Sequence, residues 1–127
     1  MTAQEKVVES IRHILQNPKQ IKDITRAGNE YYFNYKGHLF SVLRRESEHE
    51  SGRYTFYLYP KWNSNSLSLV RTLERTDAFP NESTEMATFH SAGLETPEAE
   101  KLLGSLFNTI ENEYLGVDAI LDHVLNG

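Results

Sequence analysis

Aromatic residues concentrate between Tyr31 and Trp62, and this stretch constrains the fold more than any other feature of the chain. Ten of the fourteen aromatic residues lie there. They fall in short alternating runs, separated by a glycine-containing turn and a charged loop, which is typical of antiparallel strands. Alternate side chains of a strand point to opposite faces, so Tyr31, Phe33 and Tyr35 share one face and Tyr32 lies on the other. The sequence therefore predicts a central β-sheet with aromatic side chains on both faces.

Strand-like segments surround this stretch and predict a meander. Lys36-Gly37 is typical of a tight hairpin turn between two alternating runs, and Pro60 ends the aromatic stretch. Turn-forming residues over 74–84 predict a long connection before the last strand. The predicted strands are residues 20–26, Glu30–Tyr35, His38–Arg45, Arg53–Tyr59, Leu67–Leu73 and Glu85–His90.

Helical spacing of apolar residues marks the two ends of the chain. Thr2 and Glu5 form a capping-box pattern, and the following helix is expected to span residues 3–16. Thr96 is a predicted N-cap with Pro97 at the first helical position. The helix 97–115 is expected to end at Gly116. A last short helix is predicted from the spacing of Val117, Ile120, Leu121, Val124 and Leu125.

This order of elements predicts the α+β class. We expect an N-terminal helix, an antiparallel β-meander of four to six strands, and two C-terminal helices packed on one sheet face. A chain of 127 residues fits one domain covering residues 1–127. The apolar content of 39% and the charged content of 24% are those of an ordinary globular protein.

Composition also limits the chemistry. The chain contains no cysteine, which excludes disulfides, thiolate zinc sites and thiol nucleophiles. No apolar run approaches the roughly 20 residues that span a bilayer, and the first residues mix charges with apolar side chains. We therefore expect a cytoplasmic protein without a membrane partner.

Charge is distributed unevenly. The net charge of −5 disfavours a nucleic-acid partner. Residues 1–62 carry ten Lys or Arg against seven Asp or Glu, while residues 63–127 carry three against eleven. Two explanations remain open: the acidic helices present solvated surfaces, or unlike patches drive self-association.

Two places could carry catalysis or metal binding. The segment Glu46-Ser47-Glu48-His49-Glu50 contains metal-binding side-chain types, but a loop between strands supplies no fixed geometry, so we expect no metal site. His90, beside Ser91, could act as a general base, but no carboxylate partner follows from the sequence. Phosphate loops, nucleophile elbows and kinase motifs do not occur. We predict neither a catalytic residue nor a cofactor, and a non-enzymatic protein is the favoured interpretation.

The leading functional hypothesis is a small protein-binding module of the chaperone-like, immunity or adaptor kind, acting on another protein or as a homodimer. Tyr57, Tyr59 and Trp62 are its interface candidates, because Tyr and Trp combine a large apolar area with a polar tip. A helix lying over these three side chains is the competing explanation.

The alternative is a small-molecule-binding protein or an enzyme. In that case the sheet curls around the helix 97–115 and leaves a pocket. An inward arginine would require an acidic ligand or a buried carboxylate. The pocket candidates are Tyr31, Phe33, Tyr35, Phe56, Arg71 and His90.

Overall fold

The computed structural model describes residues 1–47, 49–75 and 84–126. Most of the predicted connection at residues 74–84 therefore lies outside the described residues. The helices are α1 Ala3–Gln16, α2 Ser66–Glu74, α3 Ala99–Leu115 and α4 Val117–Asn126. The strands are β1 Ile21–Ala27, β2 Glu30–Tyr35, β3 His38–Arg44, β4 Tyr54–Tyr59 and β5 Ala87–His90. Short 3-10 turns lie at Pro18–Gln20 and Ser91–Leu94.

The five strands form one antiparallel sheet in chain order, β1-β2-β3-β4-β5. The β2–β3 hairpin turns at Lys36 and Gly37, whose φ angles are 51° and 80°. Positive φ at both central positions suits the right-handed twist of the flanking strands. The Asn34 side chain accepts the Gly37 N–H at 3.1 Å. The predicted hairpin is confirmed.

The first face of the sheet is covered by α1 and α3. Phe33, Val42 and Phe56 project from three strands into this layer and are fully or almost fully buried. The ring of Tyr31 packs edge-on against Phe107 of α3, with 5.2 Å between centroids. These aromatic rings therefore form the main core. The helical side chains that complete it are Val8, Ile11, Ile14, Leu103, Leu106, Phe107 and Ile110.

The second face is covered in part by α2. Leu69 and Val70 of α2 are buried against Tyr32, Leu39 and Tyr59 of the sheet. The strand predicted at Leu67–Leu73 is therefore wrong, because this segment is the helix α2. Its buried residues recur at the helical spacing i, i+3, i+4, and Leu67, taken as a strand position, is exposed.

The N-terminus of α2 is fixed to β1. Asn65 caps the helix by accepting the Ser68 N–H at 2.8 Å. The Asp23 carboxylate accepts the Ser66 N–H at 2.6 Å, and the Ser66 hydroxyl donates to the Asp23 carbonyl. Since the single hydroxyl proton of Ser66 is used there, the Thr25 hydroxyl 2.5 Å away donates to Ser66. The bulge in β1 places Asp23 at a φ of 56°, which Asp tolerates better than most residues.

The two C-terminal helices follow as predicted, and the α+β class is confirmed. Helix α3 begins at Ala99, two residues later than predicted, because Thr96 and Pro97 belong to a turn in which the Thr96 carbonyl accepts the Ala99 N–H. Gly116 ends α3 in the left-handed conformation, as expected. Helix α4 starts immediately afterwards and contacts α3. Over the described ranges, no helix has the length and apolar character needed to cross a membrane.

Candidate functional site

Four predicted pocket residues belong to the main core. Tyr31, Phe33, Tyr35 and Phe56 all lie on the first face of the sheet and are at most 5% exposed. Their rings fill the layer between the sheet and the helices, and Tyr35 also lines an open groove beside His13 of α1. The Tyr31 hydroxyl donates to Glu111 at 3.2 Å, and burial, followed by the negative charge of Glu111, raises the pKa of Tyr31.

The other two predicted pocket residues lie elsewhere. Arg71 was predicted to point inward from a strand, but it is exposed on α2, so that prediction is wrong. His90 pairs with Thr55 across β4 and β5, with 2.9 Å between Nδ1 and the Thr55 hydroxyl. Its side chain shares the second face with Thr55, whereas Phe56 faces the main core. The structure does not bring the six residues together.

The three interface candidates meet on the second face. Tyr59 is 2% exposed beneath α2, so its ring belongs to the protein's own core. Tyr57 and Trp62 are half-buried and pack against the same cluster. The Trp62 indole donates to the Asn65 carbonyl at 3.1 Å, beside the start of α2. A covering helix, the competing explanation, accounts fully for the burial of Tyr59 and partly for that of Tyr57 and Trp62.

A polar network crosses this second face. The two carboxylate oxygens of Glu30 accept from the Tyr32 hydroxyl at 2.8 Å and from the Ser41 hydroxyl at 2.6 Å. Because the single hydroxyl proton of Ser41 is used in the hydrogen bond to Glu30, the Tyr59 hydroxyl 3.2 Å away donates to Ser41. Burial raises the pKa of Tyr32 far above its usual range and that of Tyr59 to about 12. Both phenols therefore stay protonated at neutral pH and serve as hydrogen-bond donors.

The histidines and the acidic loop do not assemble a metal centre within the described ranges, where no three metal-binding side chains form a group. His13 lies 2.9 Å from the Tyr35 hydroxyl, on α1. His49 accepts the Ser51 N–H at 3.1 Å inside its own loop. Glu48, the central carboxylate of the predicted loop, lies outside the described residues.

The most unusual surface is α4, which contains no buried residue. Ile120 is 59% exposed, Leu121 52%, Val124 69% and Leu125 82%. At about 100° per residue they lie, with Val117, on one side of the helix and cover roughly 140° of its circumference. We call Val117, Ile120, Leu121, Val124 and Leu125 the apolar face of α4.

The last turn of α3 extends this exposed apolar surface along the chain. Tyr114 is 46% exposed and Leu115 51% exposed. One edge of Tyr114 packs on Tyr31, with 5.5 Å between ring centroids, which fixes its position. Gly116 then adopts a φ of 66° and redirects the chain into α4. An anchored aromatic residue therefore leads into the exposed helix.

Sequence reasoning identified the residues of α4 as a helix but not as a site. The apolar spacing predicts which side chains share a face, whereas their exposure depends on what packs against that face. The composition carried one signal: residues 102–127 contain no Lys or Arg and four carboxylates. Comparison with protein-family models, curated proteins and solved structures found no match for the chain.

Proposed function

We propose that the protein is a non-enzymatic protein-binding module that docks another protein on the apolar face of α4. The observation that carries this proposal is the exposure of Ile120, Leu121, Val124 and Leu125 along one side of a single helix. Chaperone-like, immunity and adaptor proteins are all binding modules of this kind. The cytoplasmic location predicted from the sequence is part of the same proposal.

The physical argument starts from the cost of exposed apolar surface. Burying one Leu, Ile or Val side chain fully contributes roughly 1.5–3 kcal/mol. Clustered exposed apolar side chains are characteristic of interaction sites in globular proteins. The spacing of Val117, Ile120, Leu121 and Val124 is i, i+3, i+4, i+7, the anchor pattern of a helix that binds in a groove. A partner groove would bury this face without rearranging the sheet.

The polar side chains on the second face support a binding role over a catalytic one. Glu30, Ser41 and Tyr59 hydrogen-bond one another across the strands. A nucleophilic hydroxyl must reach its substrate, but Ser41, which donates its hydroxyl hydrogen bond to Glu30, is fully buried. This network holds neighbouring strands together.

The test compares two variants of α4 that add the same charge. Ile120→Lys/Val124→Lys places two lysines on the apolar face, and Ala119→Lys/Asn126→Lys places two on the opposite side. Each protein is immobilised, cell extract is passed over it, and retained proteins are quantified by mass spectrometry. We expect a protein that the wild type and the opposite-side variant retain and the apolar-face variant loses. It is then purified and its direct binding measured.

Identical retained sets for all three proteins would contradict the proposal. If the only protein retained from the extract is a further copy of the same chain, the apolar face is assigned to a homodimer. Circular dichroism controls for loss of helix, which is not expected because all four positions are exposed.

A further inference from the structure

Carboxylates are the only fully charged side chains in the C-terminal segment. After Lys101, the charged residues are Glu111, Glu113, Asp118 and Asp122. Glu111 accepts the Tyr31 hydroxyl and is half-buried, while Glu113, Asp118 and Asp122 are exposed. The Asp and Glu residues that accompany the apolar face along the chain are therefore not mixed with Lys or Arg.

These carboxylates are not neutralised within the described parts of the chain. The ion pairs there join Arg12 to Glu9 and Glu98, and Lys61 to Glu85. Asp118 and Asp122 on α4 take part in none of them. Asp118 lies beside Leu121 and Asp122 beside Leu125 on the helix surface, because residues three apart are neighbours on a helix. A partner that covers the apolar face therefore places its own flanking side chains beside Asp118.

A second copy of the chain that pairs its own α4 with this face is a poor occupant. A ten-residue helix is about 15 Å long, so pairing two α4 helices brings carboxylates of both copies close together, with no Lys or Arg after Lys101 to offset them. An anionic membrane surface is disfavoured by the same repulsion.

We infer that the partner docks on α4 through a basic amphipathic helix, with an apolar stripe flanked by lysine or arginine. This inference rests on the proposed function and names the chemistry of its partner. The apolar stripe covers Ile120, Leu121 and Val124, and the flanking cations lie beside Asp118 and Asp122. Opposite charges at the rim give selectivity and fast association, and the contact weakens as salt rises.

The test uses two fluorescein-labelled synthetic peptides and the full chain. Both peptides have about 18 residues with leucine at helical spacing, and they differ only in carrying lysine or glutamate at the polar positions. Binding is followed by fluorescence anisotropy at about 0.05 M and about 0.5 M salt. We expect the lysine peptide to bind at least about tenfold more tightly than the glutamate peptide at low salt, with most of that preference lost at high salt.

Matched variants test whether the preference for the lysine peptide depends on the carboxylates of α4. Asp118→Asn/Asp122→Asn is expected to reduce it at least about threefold, since two rim charges are removed. Glu50→Gln/Glu74→Gln removes the same charge from exposed positions outside α3 and α4 and should leave it unchanged. Circular dichroism verifies that α4 persists, because Asp118 lies in its first turn. The salt dependence of the wild type tests the inference without any variant.

Several results would overturn the inference. Equal affinity for the two peptides, tighter binding of the glutamate peptide, or no binding of either would each do so. An equal effect of the two double variants would show that the preference reflects net charge alone. Light scattering that reveals a dimer, lost in Ile120→Lys/Val124→Lys, would assign the face to a second copy. In each case the proposed function is judged separately by the comparative retention experiment.

Discussion

Gly52→Ala is expected to be strongly destabilising, because Gly52 lies where the loop after β3 meets the 3-10 turn Ser91–Leu94. Its φ angle is 90°, and an added Cβ would lie 2.0 Å from the Ser91 hydroxyl and 2.9 Å from the Ala92 nitrogen. The Ser91 hydroxyl can rotate, but the Ala92 backbone cannot move alone, because its N–H donates to the Ser51 carbonyl. Alanine therefore forces two segments apart.

The cost of this substitution has three parts. A non-glycine residue in the left-handed region costs roughly 1–2 kcal/mol. Displacing packed neighbours costs typically about 1–3 kcal/mol. Moving the Ser91 hydroxyl breaks its bond to the Tyr54 N–H, which contributes about 1 kcal/mol. The expected loss in unfolding free energy is about 3–6 kcal/mol, a large part of the stability of an ordinary domain.

Gly28→Ala is the matched control. Gly28 also has a positive φ, 61°, but no atom of the described residues lies within 4 Å of its added Cβ, so only the conformational cost of about 1–2 kcal/mol applies. Urea unfolding followed by the fluorescence of Trp62 measures both variants, with equal m-values as the condition for comparison. If Gly52→Ala is no more destabilising than Gly28→Ala, the close approach of these two segments is wrong.

Three other predictions follow from the described contacts. Ser66→Ala should lower the unfolding free energy by about 1–3 kcal/mol, because the Asp23 carbonyl and the Thr25 hydroxyl lose a buried partner. The control Ser10→Ala, at an exposed position, should lower it by less than about 0.5 kcal/mol. Urea unfolding measures both variants. Because folding raises the pKa of Tyr59 from 10.0 to about 12, its contribution to stability is complete below pH 10 and is lost as the pH rises to about 12. Tyr59→Phe should therefore reduce the pH dependence of the unfolding free energy across that range, while the slope due to the raised pKa of Tyr32 remains. Ile120→Lys/Val124→Lys should change the unfolding free energy by less than about 0.5 kcal/mol, and a larger loss would indicate that the protein itself buries this face.

Much of the fold was predictable because local signals and tertiary packing agree there. The alternation of Tyr31, Phe33 and Tyr35 matches the face buried by α1 and α3. Lys36-Gly37 predicted the hairpin correctly, because both residues adopt the positive φ angles of a tight turn. Such signals depend on neighbouring residues, so a single sequence contains them.

The segment Leu67–Leu73 was mispredicted because two periods compete within seven residues. Leu67, Leu69 and Leu73 suggest alternation, whereas Leu69, Val70 and Leu73 fit one side of a helix. The N-cap Asn65 favours the helix, and a strand that begins at Leu67 leaves this signal unused. The prediction of Arg71 as an inward strand residue failed for the same reason.

The candidate site could be predicted only in part. The apolar spacing of Ile120, Leu121 and Val124 gives their shared face, and that spacing is identical in a helix that packs on its own sheet and in one that binds a partner. Their exposure is a tertiary property. Conversely, Tyr59 looked like an interface residue because the helix α2, which covers it, was mistaken for a strand.

Photocrosslinking at α4 tests the central claim most directly. Val124→p-benzoylphenylalanine places the crosslinker on the apolar face, and Ala119→p-benzoylphenylalanine places it on the opposite side of the same helix. Irradiation in living cells followed by mass spectrometry identifies the adducts. The account predicts an adduct with another protein at position 124 and not at position 119. Identical adducts from both positions, or adducts at position 124 with further copies of this chain alone, would contradict it.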